Sequence, residues 1–462
     1  MTDPAPLFAH SQDEFRDIVD QALQEAKRLG ASDAAAEASE GMGLSVSVRK
    51  GELENIERNR DKSLGITVYL GARRGNASTS DFSVKAIRQT VRAALDIARF
   101  TAEDPMAGLP DPEDLALDAE VNARCIRGLD LLHPWAVDAQ QAAELALRCE
   151  QAAFDVDPRV SNSEGAGVSA QQSQFWLAST RGFVSGYALS RHSLSVAPIA
   201  QTPGQPDDMQ RDAWYVSERR ASDLAAPEAV GRYAAERALS RLKARKIATC
   251  EVPVLFESTL AAGLLGSFVQ CVSGGALYRK ASFLTDSLGK RLWADHIDVL
   301  EDPFTVRGKA SVPYDDEGVR TQPRSVVDAG LLQGYFLSVY SARKLGMRTT
   351  GNAGGSHNLS LRSRLTRSDD DLPAMLRKLG RGLFVTELMG QGVNSVTGDY
   401  SRGASGYWVE GGEIAYPVHE ITIAGHLGQM MKQVVAVGAD AYTYGGKTVG
   451  SILVERMKVA GS

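Results

Sequence analysis

Val385-Thr386-Glu387-Leu388-Met389-Gly390-Gln391-Gly392-Val393-Asn394-Ser395-Val396-Thr397-Gly398-Asp399-Tyr400-Ser401-Arg402-Gly403 is too polar and too glycine-rich for a core helix, and too varied for a spacer. It leads into Gly406-Tyr407-Trp408-Val409-Glu410-Gly411-Gly412-Glu413-Ile414, which reads as strand, turn, strand. Repeated glycine allows a chain to turn tightly or to approach another main chain closely. The stretch is therefore expected to line a surface where something binds along the backbone, rather than a pocket of bulky side chains. It also marks the C-terminal part of the chain as β-rich.

Outward from there, strand-like runs and glycine turns alternate from about residue 248 to the end. Val252–Phe256 reads as a strand and Glu257–Val272 as a helix, with Leu260, Leu264, Phe268 and Val272 at four-residue spacing. Upstream, the chain alternates helices and strands. Ser11-Gln12-Asp13-Glu14 is a capping-box pattern opening a helix that should stop near Gly30. Leu44, Val46 and Val48 alternate with polar residues as in a half-buried strand, Leu64–Leu70 is a second, and Val84, Ile87, Val91, Leu95 and Ala98 stripe a second helix. The prolines at 105, 110 and 112 mark a linker. Beyond it lie an alanine-rich helix over 137–154, strands over 160–164, 174–179 and 182–193, and a helix over 226–243. The expected fold is α+β: an N-terminal α/β sandwich-like domain over 1–104, a central α+β region over 113–245 and a large β-rich C-terminal domain over 248–462.

Composition narrows the function classes. The 462 residues carry a formal net charge of -6, which argues against a broad nucleic-acid surface. No run approaches the ~18 apolar residues of a spanning helix, and Asp3, His10, Asp13 and Glu14 interrupt any export signal, so a cytoplasmic protein without membrane contact is expected. Four cysteines, far apart and without a CxxC pair, fit reduced thiols.

The chemical motifs are mostly negative. There is no HExxH, GxSxG or Walker element. His419-Glu420-Ile421-Thr422-Ile423-Ala424-Gly425-His426 alternates as a strand, which would place its two imidazoles on opposite faces and roughly 23 Å apart. Cys271 falls on the packing face of its helix, as a small buried thiol would. Asp315-Asp316-Glu317-Gly318 reads as a hairpin turn, not a calcium loop. The loop Gly351–Asn358 offers amides and His357 either to a bound peptide backbone or to its own tight turn. Glycine-rich context alone nominates Asn352, His357, Gln391, Asp399 and Tyr400 as peptide-cleft residues.

Thr386–Gly392, Thr397–Gly403, Tyr416–Gly425 and Gly351–Gly355 closely resemble the PmbA (TldE) branch of the TldD/PmbA metalloprotease family, also labelled modulators of DNA gyrase. The resemblance runs from Ser45 to Lys458. It implies a cytoplasmic heterodimer with a TldD-like subunit that degrades or processes unstructured peptides, including an antitoxin and a microcin precursor. It further implies that zinc is held by a helical HExxxH motif and a later cysteine in the TldD-like partner. This chain has neither in the helix around Leu264–Cys271 nor in the Met389–Gly392 segment, so no catalytic residue and no metal ligand carries over, and zinc is expected in the partner alone. Other readings stay open: a homodimer, a self-sufficient hydrolase using Cys271 with His357, or a regulatory module acting on gyrase.

Overall fold

The computed structural model describes residues 7–461, so Asp3 and the ends of the first and last expected domains lie outside the described residues. The architecture is α+β, in two compact units. Among the described residues, the first comprises 7–200, 211–239 and 312–320; the second comprises 201–210, 240–311 and 321–461.

In the first unit, strands β1 (Asp33–Arg49), β2 (Glu52–Leu70), β3 (Arg73–Thr79), β4 (Val160–Ser179) and β5 (Val184–Gln201) form an antiparallel sheet in the order β3-β2-β1-β4-β5. Segments on either side of the proline linker thus share one sheet, because β1 pairs with β4 along most of its length. Helix α1 (Gln12–Arg28) opens on the expected capping box: the Glu14 N–H donates to Ser11 Oγ and the Ser11 N–H donates to the Glu14 carboxylate at 2.6 Å. With α2 (Val84–Phe100), its apolar stripe packs on Ala34, Ala36, Ala38, Leu64, Ile66 and Val68. Further along the same sheet face, α4 (Ala139–Phe154) and α5 (Pro227–Ser240) cover Leu44, Val46 and Val48. A short helix, α3 (Ala119–Leu129), and the turn around Tyr314 help bury Leu177, Phe183 and Tyr187 in a separate cluster. That turn is the hairpin expected at Asp315–Gly318: the Asp315 carboxylate accepts from the Glu317 and Val319 N–H groups, and Gly318 takes φ +80°.

Two expected strands, 160–164 and 174–179, are one. The intervening Ala166, Val168 and Ala170 are inward-facing but small, which makes their alternation faint in sequence. The first twelve residues of β2 went unread for a different reason: residues 52–63 are exposed on both faces, so no hydrophobic alternation marks them.

The second unit is built on strands Cys250–Phe256, Gly382–Met389, Asp399–Glu410, Glu413–His426 and Ile452–Ala460. Each pairs with the next, and the last also pairs with the first, so the sheet closes into a five-strand barrel. Closure removes the unpaired edges that open sheets expose. Beside it a smaller sheet is centred on Ile297–Asp302, flanked by Arg324–Asp328 and Asn358–Ser363. The helix Ser258–Cys271 buries Ala261, Leu264, Leu265, Phe268 and Cys271 in the largest core cluster of the protein.

Candidate functional site

The opening stretch is a hairpin. Gly382–Met389 and Asp399–Glu410 pair antiparallel, and the loop 390–398 joins them. Its glycines do permit close backbone approach, but the backbone approached is the protein's own. A Cβ on Gly392 would lie 1.5 Å from the Ser401 carbonyl oxygen, which instead sits beside a Ser401 N–H to Gly392 O bond of 2.7 Å. Asp399–Glu410 is paired on both sides, so the main chain that the sequence suggested for ligand binding is already engaged.

The loop is organised by side chains. Asn394 Oδ1 accepts from the Val396 N–H at 3.0 Å, and Thr397 Oγ1 donates to the Asp399 carboxylate at 2.6 Å. His426 Nδ1 accepts from the Gly428 N–H, so the proton resides on Nε2, which donates to Thr397 O at 3.0 Å. His426 thereby ties the loop to the barrel. The strand carrying it bulges at His419–Glu420, where Glu420 adopts φ +51°, so the simple alternation assumed between His419 and His426 breaks there.

The five candidate cleft residues fall into two groups. Gln391 and Asp399 are exposed on the loop, next to Met389 and Val396, which are also exposed. Tyr400, one residue on, turns into the core; its hydroxyl has no partner and burial pushes its pKa above the usual phenol range. Asn352 and His357 lie in the loop that leads into Asn358–Ser363 of the smaller sheet and are 5% and 6% exposed. They close around Glu301, itself 2% exposed. Glu301 accepts from Arg324 Nε at 2.6 Å, from Asn352 Nδ2 at 2.8 Å and from the His357 N–H at 2.8 Å. The His357 ring pairs with Gly351 O at 2.8 Å. Both side chains are thus hydrogen-bonded within the protein.

Glu301 and Arg324 were not singled out in the sequence. A signal was present: in Ile297-Asp298-Val299-Leu300-Glu301, the carboxylate occupies the same parity as the buried Ile297 and Val299. A charge at an inward position of a strand needs a partner, and so flags a buried network.

The inward face of Ser258–Cys271 offers leucine, phenylalanine and one thiol, with no imidazole or carboxylate. Among the described residues, no group of three or more His, Cys, Asp and Glu side chains is placed to hold one ion. Cys271 is fully buried, and desolvation pushes its thiol up to about 11, partly offset by a hydrogen bond with Ser282. Such a thiol supplies negligible thiolate near neutrality. All four cysteines are free. No helix among the described residues is long and apolar enough to cross a membrane.

Residues 35–98, 132–242 and 249–461 match domain 1, the central domain and the C-terminal domain of the PmbA/TldA metallopeptidases. The chain is 48% identical over 449 residues to the metalloprotease PmbA of Escherichia coli O157:H7, covering 96% of this chain and 97% of that protein. A crystal structure from Bacteroides thetaiotaomicron, assigned to the modulators of DNA gyrase, superposes with a TM-score of 0.89 at 23% identity, over 98% of this chain and all of that one. TldE from Thermococcus kodakarensis gives 0.81 at 17% identity, over 96% of this chain and all of that one. At these identities the two structures establish a shared fold.

Proposed function

The chain belongs to the PmbA/TldD metallopeptidase family, and from that premise we propose that it is a TldE-type subunit without zinc of its own, working in the cytoplasm beside a zinc-bearing TldD-like subunit. In this reading the partner hydrolyses unstructured peptides, and this chain completes the assembly and helps hold the substrate. The observation that carries it is the helix Ser258–Cys271, whose inward positions are filled by Leu264, Leu265, Phe268 and Cys271 where a catalytic member of the family would need imidazoles and a carboxylate. Packing of that kind presents no imidazole or carboxylate on the inward face of the helix. The exposed loop around Gln391 and Asp399, flanked by Met389 and Val396, is the part of the second unit offered to the peptide.

The test is zinc content and peptide hydrolysis, measured for the isolated chain, for the TldD-like partner and for the mixture. Zinc and activity are expected with the partner, and activity should rise on mixing. Stoichiometric zinc together with hydrolysis in the isolated chain would overturn the reading. An antitoxin and a microcin precursor are the first substrates to try.

A further inference from the structure

The helix-bearing face of the long sheet is not covered continuously. α1 and α2 seat on the rows around Ala34–Ala38, and α4 and α5 on the rows around Leu44–Val48. Strand register defines what lies between. Arg60, Met42, Gln172 and Ser190 stand opposite one another across β2, β1, β4 and β5, and Arg58, Leu44, Ala170 and His192 form the next row. One end is closed where the Glu40 carboxylate accepts from the Ala9 and His10 N–H groups and meets the His10 ring. The wall is Pro134–Val137, leading into α4, with Trp135 edge-on to the buried His192 ring at 5.3 Å. The resulting groove encloses about 400 Å³, the size of a small-ligand site.

Its lining is apolar, from Leu7, Met42, Leu44, Trp135 and Val137, except at two places. Gln172 is 7% exposed and faces the groove, yet its Oε1 is buried without any hydrogen-bond partner. An acceptor left unmade in this way is destabilising, and a ligand donor would relieve it. Arg58 and Arg60 stand exposed at the rim, and neither forms an ion pair or hydrogen bond among the described residues. Lys62 continues the positive row, and the acid beside it, Glu40, is turned to His10.

We infer that this groove binds the carboxy-terminal residue of a peptide that ends in an apolar side chain. The side chain packs between Leu44 and Trp135, Arg58 and Arg60 hold the carboxylate, and Gln172 Oε1 accepts the last peptide N–H. Guanidinium groups suit this task because their planar fork matches a carboxylate. The demand for an N–H donor beside an anion and an apolar body is what separates a peptide end from a simple acid. The inference rests on the peptide-handling reading only for its class of ligand, and it involves the first unit alone.

The test uses the full chain without partner and dye-labelled tetra-alanyl-phenylalanine as probe, followed by fluorescence polarisation. Binding is expected, weakened at least tenfold when the terminal carboxylate is an amide, and at least tenfold in the double variant Arg58→Gln/Arg60→Gln. Both arginines are exposed, so that variant should melt like the parent. Gln172→Leu should weaken the peptide severalfold and leave hydrocinnamate unaffected. Hydrogen exchange on adding probe should slow at 42–44 and 170–172. Equal affinity for acid and amide, an unchanged double variant, or protection confined to other segments would each overturn the inference, and hydrocinnamate binding as tightly as the peptide would replace the peptide end by a free acid. Hydrolysis by the isolated chain would bear on the peptidase reading and not on this one.

Discussion

The segments 351–358 and 389–400 look alike in sequence: glycines, amides, and one or two chemically capable side chains. They do opposite things. In the first, Asn352 and His357 fold inward on the Glu301 carboxylate and seal it together with Arg324. In the second, Gln391 and Asp399 stay at the surface while Tyr400 turns in. Glycine-rich composition signals unusual backbone geometry, but the partner brought by the fold decides whether that geometry seals a core or presents a surface. Here the deciding partner is a buried charge about 50 residues upstream of the first segment, which the second segment lacks.

The largest expected effect removes that charge. Glu301→Ala leaves the Arg324 guanidinium, itself mostly buried, without its anion. Breaking a buried pair by deleting one member typically costs about 3–5 kcal/mol. The variant should melt far below the parent in a thermal scan, and a shift within experimental error would mean the network is not what holds 351–358 in place. His357→Ala is the milder version. It strands Gly351 O, which loses its 2.8 Å ring contact, and should cost about 1–3 kcal/mol while leaving any peptide affinity of the complex unchanged. Loss of peptide affinity at unaltered stability would place His357 in the cleft.

What the sequence made legible follows the reach of each interaction. The capping box at Ser11, the stripes of α1 and α2 and the helix Ser258–Cys271 are local and periodic, and all appear where expected. The hairpin at Asp315–Gly318 is likewise decided within a few residues. Barrel closure between Thr422–Ala424 and Lys458–Ala460 depends on register across distant strands, which no local pattern encodes. Residues 52–63 form a strand only because β1 offers a partner along its whole length. Of the candidate site, the exposed loop was legible through its glycines, whereas the groove near Gln172 was marked only by polar residues at inward strand positions: Glu40, Gln172, Gln174 and His192. Glu40 and Gln172 lie outside the strands expected there, whereas Gln174 and His192 lie inside expected strands, where no local pattern shows what a single polar side chain faces.

Gly392→Ala moves the comparison to the loop itself. The added Cβ would collide with Ser401 O, so the crossing of 392 over 401 must open. Overpacking of this kind costs about 1–3 kcal/mol, but an exposed loop can shift to relieve it, so the lower end is expected. Amide exchange over 390–402 should quicken, while the Glu301 network remains protected. Quickened exchange in both segments would show that they are coupled, and their contrast would then be one of degree.

The smallest effect on stability carries the most functional information. Gln391→Ala and Asp399→Asn alter exposed side chains, and surface changes of this sort stay within about 0.5 kcal/mol. Gln391 makes no hydrogen bond among the described residues, and the Asp399 carboxylate accepts only from the neighbouring Thr397 hydroxyl, so neither substitution should disturb the barrel. If the loop meets substrate, each removes a contact worth about 0.5–1.5 kcal/mol, a two- to twelvefold rise in the KM of the mixed complex with kcat held. The pairing of an unchanged melt with a raised KM would separate the presenting segment from the sealing one, since Glu301→Ala reverses both readouts. Unchanged kinetics in both loop variants would remove Gln391 and Asp399 from the substrate surface and leave that loop a brace, through Thr397 and His426, for the barrel wall.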